Sequence, residues 1–314
     1  DLMASAEAGT QGPTAAFFRT CRRRFAEGGQ ESWAESWTAA LEQVALPLEE
    51  ADLRLLQEAG DVLGRYDGES QRQALEGLLR GLEGQAAEAA ENYRALNEKI
   101  TAYGGYFCYL GLPLQSSYFA DHYPDYLESR LWHTTAIRES FAAAMAEEGV
   151  PFLGMYDVYA AEGLPEEYYY ATDHHYTIRG ALRAAQAAVE RINADTGLGL
   201  GALNAEDYAW ETLPNPFLGS SNRKLYGLWA NDDAVELPYL KEDIPFTRKD
   251  MGEDVEATLF ALPETAGVDV TYSVYMGGDI AETVIDTGRE ELPTLLLYGD
   301  SFSNPLECLL WRDF

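Results

Sequence analysis

Along residues 1–100 apolar side chains recur every three or four positions, the period of a helix with one buried face. Leu75, Leu78, Leu79, Leu82, Ala86, Ala89, Tyr93, Leu96 and Ile100 make the longest such stripe, predicting a helix from about Ser70 to Ile100. Its other face is Arg, Glu and Gln. A shorter helix is predicted after Pro47, where Leu48 and the acidic pair Glu49 and Glu50 suit a first turn. Leu53, Leu56, Ala59 and Leu63 form its stripe, and Gly64 stops it. Trp33, Trp37, Leu41 and Val44 repeat the pattern upstream, as do Phe17, Phe18, Cys21 and Phe25 around the basic run Arg22–Arg24. Ala, Leu, Glu and Gln dominate this half, and they lose little side-chain entropy in a helix. Residues 1–102 therefore read as an all-helical bundle without a nucleophile paired to a base.

From about Tyr103 the pattern changes. YFCYLGL at 106–112 and PFLGMYDV at 151–158 are short apolar runs that read as buried strands. Amphipathic helices are predicted over Leu131–Glu148 and Thr177–Asn193. Strand and helix in alternation favour an α/β layer domain with a mainly parallel sheet over residues 103–314. VDVTYSVYM at 268–276 alternates and reads as an antiparallel hairpin element. PTLLLYGDSFSNPLECLL at 293–310 reads as a buried strand breaking at Gly299 into a turn and a helix.

Composition narrows the functional classes. The 314 residues carry 53 acidic against 22 basic side chains, a net charge of −31, and that excludes an ordinary phosphate-backbone binder. Residues 1–100 hold −8 of that charge and 101–314 hold −23. With 46% apolar residues the chain can bury a sizeable core. No window approaches the ~18 uninterrupted apolar residues that mark a membrane span. The first residues lack the basic-then-apolar order of a secretory signal. Cys21, Cys108 and Cys308 are odd in number and far apart, which argues for buried thiols over a disulfide framework or a zinc cluster.

Candidate chemistry gathers in two places. Ser301 stands on the tight turn between the apolar run and the final helix, where backbone N–H groups and the positive helix end can stabilise an oxyanion. The competing reading makes Ser301 or Ser303 a helix N-cap. A base is available in TDHHYT at 172–177, where Asp173 could orient an imidazole toward the serine. Adjacent histidines diverge, so one of His174 and His175 is expected to face Ser301, and the residues alone leave both open. A divalent ion held by Asp173, His174 and His175 with Asp121 or His122 is a further alternative, without support from any standard ligand spacing.

The segments YGDSFSNPLECLL, YYYATDHHYTIRGALRAAQAAVERI and YLGLPLQSSYFADHYPDYL together resemble the DHHW protein family, which is similar to the alginate O-acetyltransferases of the SGNH hydrolase superfamily. The resemblance spans residues 103–314. It implies a flavodoxin-like α/β/α fold and a Ser–His–Asp triad for acyl transfer on a cell-envelope carbohydrate. Carried over by position, Ser301 is the nucleophile, His175 the base and Asp173 its orienting acid. GSSNRKLYG at 219–227 resembles the family's Gly-Ser block, so Gly219 and Ser220 are candidates for the oxyanion hole. Tyr176 stands where the family signature has Trp. Family members continue past the GDSF helix, so the domain is expected to be truncated at its C-terminus.

Residues 15–100 resemble the cytoplasmic portion of stage III sporulation protein AB, carried by LPLEEADLRLLQEAGDVLGRYDGESQRQALEGLL and by NEKI at 97–100. This likeness implies a helical bundle that partners a sporulation ATPase on the cytoplasmic face of a membrane, whereas the DHHW likeness implies an extracytoplasmic site. The resulting expectation is a serine esterase or O-acetyltransferase using a carbohydrate and an acyl donor. It needs no cofactor and no metal. The alternative is a non-enzymatic helical adaptor with the second domain as scaffold or binding module.

Overall fold

The computed structural model describes residues 12–27, 33–46, 53–54, 56–57, 68–123, 131–229, 232–265 and 267–314. The chain divides into two compact units, Asp1–Asn92 and Tyr93–Phe314. In the first unit α1 (Gly12–Glu27) and α2 (Trp33–Gln43) pack against each other. Their apolar stripes meet in a cluster of Phe17, Cys21, Trp37 and Ala40. Trp37 stands edge-on to Phe17, with centroids 4.8 Å apart, and its indole N–H donates to the Leu56 carbonyl at 2.7 Å. Most of the helix predicted after Pro47 lies outside the described residues.

The long helix α3 (Gly68–Ala102) extends the predicted span by two residues at each end. The side chains of Leu75, Leu78, Leu79 and Leu82 lie outside the described part. Ala90 is fully buried, while Leu96, assigned to the stripe, is exposed. Tyr93 packs edge-on to Tyr109 at 5.0 Å and near-parallel to Phe107 at 6.1 Å, so the last turns of α3 join the core of the second unit.

The second unit opens with β1 (Tyr109–Gly111), followed by α4 (Gln115–Tyr118), α5 (Leu131–Glu147) and β2 (Phe152–Gly154). β1 and β2 pair in parallel, Tyr109 opposite Phe152, as the strand-helix-strand pattern requires. The predicted second strand is shorter than its apolar run, because Gly154 caps a new helix, α6 (Met155–Ala161), which takes MYDV out of the strand. The helix α7 (Ile178–Thr196) begins at Thr177, whose hydroxyl accepts from the Gly180 amide at 3.3 Å, and ends at Gly197 in the left-handed conformation. Ala181, Ala184, Ala185 and Ala187 are buried along it, and these small side chains let it pack closely on the last helix, α9 (Ser303–Leu310).

The remaining ladders are antiparallel. β3 (Tyr208–Thr212) pairs with β4 (Glu236–Leu240), and β5 (Thr247–Asp250) lies between β6 (Glu253–Val255) and β7 (Thr283–Asp286). Between β3 and β4 in the chain, α8 (Ser220–Lys224) is a short helix entered from Gly219.

Two expectations are corrected here. Residues 268–276 do not form a hairpin strand: Tyr272–Val274 is a 3-10 turn, and Tyr272, Val274, Tyr275 and Met276 are all buried, which a period of two cannot achieve. The run 293–298 has no ladder partner among the described residues. Leu295 and Leu297 pack on the core, but Leu296 and Tyr298 are 89% and 97% exposed. One face of the run is covered and the other is not.

Candidate functional site

Three segments meet because α7 and α9 lie side by side: the loop before α7, the turn before α9 and the entry to α8. The turn is set by Asp300. Its carboxylate accepts from the Phe302 amide at 3.0 Å and its carbonyl accepts from the Ser303 amide at 2.8 Å. Asp300 thus does the local hydrogen bonding that an N-cap would do. The Ser301 hydroxyl is left for another partner and lies 2.7 Å from His175 Nε2.

The other ring nitrogen of His175, Nδ1, is 2.5 Å from Asp173 Oδ1, which also accepts the His175 backbone N–H at 3.1 Å. Asp173 Oδ2 accepts from the Ser220 amide at 2.6 Å. Asp173 and His175 are buried. Burial alone would raise the Asp173 pKa, but the hydrogen bonds from the His175 ring and the Ser220 amide outweigh it and hold the carboxyl at about 2. The acid is therefore ionised at neutral pH and fixes His175 with Nδ1 protonated and Nε2 turned to the serine.

The loop carrying the acid is itself anchored. Asp233 accepts from the Ala171 and Thr172 amides at 3.0 and 2.7 Å. The Thr172 carbonyl takes the Ser221 amide at 3.0 Å, bringing the start of α8 against the loop. A Cβ at Gly219 would overlap that same carbonyl, so only glycine permits the approach.

Of the two oxyanion candidates, Gly219 and Ser220, the amide of Ser220 is engaged elsewhere. The Ser220 amide is committed to Asp173, and its hydroxyl lies 2.7 Å from His174 Nδ1. As placed, the block braces the acid and leaves no free Ser220 amide for an oxyanion.

His174 does diverge from Ser301. It is half-exposed, turned to Ser220, and lies tilted at 38° to the His175 ring with centroids 3.8 Å apart. Burial, and then the neighbouring His175, lower its pKa.

Sequence reasoning missed three contributors. Tyr176, at the signature Trp position, is fully buried and its hydroxyl donates to the Phe302 carbonyl at 2.5 Å, tying the 172–177 loop to the turn at Ser301. Tyr272 stacks on the imidazole of His175. Asp233 holds the loop from sixty residues away. Only the signature position could have singled out Tyr176, and nothing local marks the other two.

The chelating alternative rests on the same groups. Asp173, His174 and His175 offer ligand atoms within 4.8 Å of one another, but Asp121 and His122 are not among them, and His122 faces Glu166 at 3.8 Å. Asp173, His174 Nδ1 and both ring nitrogens of His175 are engaged by each other, by Ser220 and by Ser301, so an ion taking those atoms would have to break the bonds just described.

Asp173, His174, His175, Ser220, Ser301 and Asn304 line a cavity of about 350 Å³. A carboxylate, an imidazole and a hydroxyl in series, opening into such a cavity, define an acyl-transfer enzyme class. A family model described as the SGNH hydrolase-like domain of the acetyltransferase AlgX matches residues 74–249, more than half of the chain. The chain belongs to that family and is an SGNH-type acyltransferase or hydrolase. Residues 1–109 match the model of stage III sporulation protein AB.

Among solved structures, Bacillus cereus PatB1 with a sulfonyl adduct is 18% identical, with a TM-score of 0.60 over 74% of this chain and 76% of that one. PatB1 in a second structure is 17% identical, with a TM-score of 0.58 over 73% and 78%. A DHHW family protein from Eubacterium siraeum is 20% identical, with a TM-score of 0.52 over 73% of each chain. These likenesses share the fold. A comparison with curated proteins gives no match. No described helix is long and apolar enough to cross a membrane.

Proposed function

We propose that this protein is a carbohydrate O-acetyltransferase, with esterase activity when water replaces the sugar, and that Ser301, His175 and Asp173 carry the reaction. The observation behind this reading is the unbroken series from Asp173 Oδ1 through His175 to Ser301 Oγ, at 2.5 and 2.7 Å. Membership of an acetyltransferase family supports it.

In the first half-reaction Ser301 Oγ attacks the acetyl carbonyl carbon of the donor and its proton passes to His175 Nε2. Asp173 stays ionised and stabilises the imidazolium through Nδ1–H. The negative oxygen of the tetrahedral intermediate forms at the N-terminal end of α9, where the helix dipole is favourable. Collapse breaks the bond to the leaving group, which departs with the proton from His175 and leaves acetyl-Ser301. In the second half-reaction a sugar hydroxyl attacks the acetyl group while His175 takes its proton. Ser301 leaves and recovers that proton, and a new sugar ester is formed. The acceptor we assign is a cell-envelope carbohydrate.

The deciding experiment is turnover of a small acetyl ester by wild type and Ser301→Ala, followed by acetylation of a cell-wall oligosaccharide read by mass spectrometry. Loss of both in the variant is the expected result. Retained ester turnover in Ser301→Ala overturns the acyl-enzyme.

For the helical region the sporulation family match over residues 1–109 supports a second role, docking of a sporulation ATPase. Binding of such an ATPase to the intact chain, lost when the exposed face of α1 is charge-reversed, is the expected outcome. Unchanged binding removes that role.

A further inference from the structure

His175 is held at both ends and flanked by aromatic rings. Its two hydrogen bonds attach at opposite ends of the ring, so they leave free the tilt of the ring about the line between them. The Tyr272 ring lies parallel to the imidazole, 5° between planes, with centroids 3.8 Å apart. That is van der Waals contact across a whole face. The His174 ring centroid is also 3.8 Å away, tilted at 38°. Phe302 flanks the pair at 4.8 Å.

Tyr272 is 6% exposed, in the 3-10 turn between the buried Val270 and Val274. Its hydroxyl is buried and has no hydrogen-bond partner among the described residues. A buried phenol without a partner costs free energy, so neither solvation nor a protein hydrogen bond accounts for this side chain. What it supplies to the site is its ring face.

We propose that Tyr272 is a positioning residue for acyl transfer, its ring fixing the tilt of the His175 imidazole and favouring the imidazolium that forms when His175 takes the Ser301 proton. The inference rests on the reading of Ser301 and His175 given above. An aromatic face attracts a cation much more than a neutral ring. The contact therefore strengthens between ground state and transition state, which is the condition for an interaction to accelerate the chemical step. His174 does not oppose it with a second charge, since burial and His175 itself disfavour its protonation.

The test uses the full chain and p-nitrophenyl acetate with wild type, Tyr272→Phe, Tyr272→Leu and Ser301→Ala. Tyr272→Phe keeps the ring and discards only the orphan hydroxyl, so kcat is expected within about 2-fold of wild type and the melting temperature unchanged or higher. Tyr272→Leu is expected to lose about 30-fold in kcat, with KM within about 2-fold, the size of a desolvated cation–π contact. Tyr272→Met, an unbranched filler of the same space, replaces Tyr272→Leu with the same expectation if the latter does not fold. A merely structural role would not split kcat from KM in a folded variant that Phe rescues.

Three results would overturn the proposal: an undiminished kcat without the ring, a rise in KM alone, or a loss in Tyr272→Phe equal to that in Tyr272→Leu. Turnover surviving in Ser301→Ala would instead sink the underlying reading, so the two failures are told apart.

Discussion

The two units bury different things. In the helical unit the described cluster is Phe17, Cys21, Trp37 and Ala40, and Ser36 is the one buried polar residue among those described. In the second unit Asp173, His175, Ser220, Asn222 and Asn304 are buried as well, and four of these five line the same cavity. Burying polar groups is costly unless each finds a partner. Asp173, His175 and Ser220 belong to one connected set, from Asp233 through the 171–175 loop and Ser220 to Ser301, while the side chains of Asn222 and Asn304 are paired with Trp229 and Asp279. The lesson is that a core packed for stability and a core packed for chemistry differ in where their polar atoms lie, even at similar burial.

The sharpest way to break this contrast is at the nucleophile. Ser301→Ala and His175→Ala are each expected to lower acetyl-ester turnover by at least ~10³-fold. In Ser301→Ala the melting temperature should hardly move, because Asp300 and not Ser301 satisfies the local amides, whereas His175→Ala also strips the buried Asp173 of a partner and should lower it. A loss of about 1 kcal/mol in Ser301→Ala would mark it as a cap instead.

Next in size is the opposite pattern in the helical unit. Trp37→Ala should cost about 3–5 kcal/mol in stability, as a large buried side chain is removed, and leave ester turnover of the folded protein unchanged. Chemical denaturation with parallel assays reads both.

Third, acid should act on the second unit through Asp173. Its folded pKa is about 2, below the ~3.9 of an unfolded Asp, so its contribution to stability is complete above pH ~4 and fades as pH falls toward 2. Over that window wild type should lose about 2–3 kcal/mol more than Asp173→Asn. Equal acid sensitivity of the two would contradict the hydrogen bonding described. The smallest effect is expected from His174→Ala, a fall of about 2–5-fold in kcat, since that ring lies against His175 but does not touch Ser301. A loss as large as that of His175→Ala would revive the chelating alternative.

Much of this was legible in the sequence, and the exceptions have physical causes. Period alone located α1, α2, α3 and α7, because each has one apolar face, whereas α5 was placed by its run of apolar and Ala residues without a clear face. The loop 172–177 and the turn at Gly299 were legible because both sit immediately before helices, where special residues cluster. The run 293–298 misled, since consecutive Leu residues do not say whether a second layer covers them. Residues 268–276 misled because Val270, Tyr272, Val274 and Met276 are buried at a strand's spacing while the backbone at Tyr272–Val274 closes a 3-10 turn. Ser220 could be placed near the site but not assigned its role, for a backbone amide has no sequence signature. Tyr272 left no local trace, as its partner lies almost a hundred positions earlier and the contact is ring on ring.

The central claim is that an acetyl group passes through Ser301. Rapid-quench reaction with p-nitrophenyl acetate, followed by peptide mass spectrometry, tests it most directly. The account predicts a burst of one equivalent of p-nitrophenol and a single acetyl group on the peptide containing Ser301, both absent in His175→Ala. An acetyl group on another residue, or steady turnover with Ser301 never modified, would contradict it.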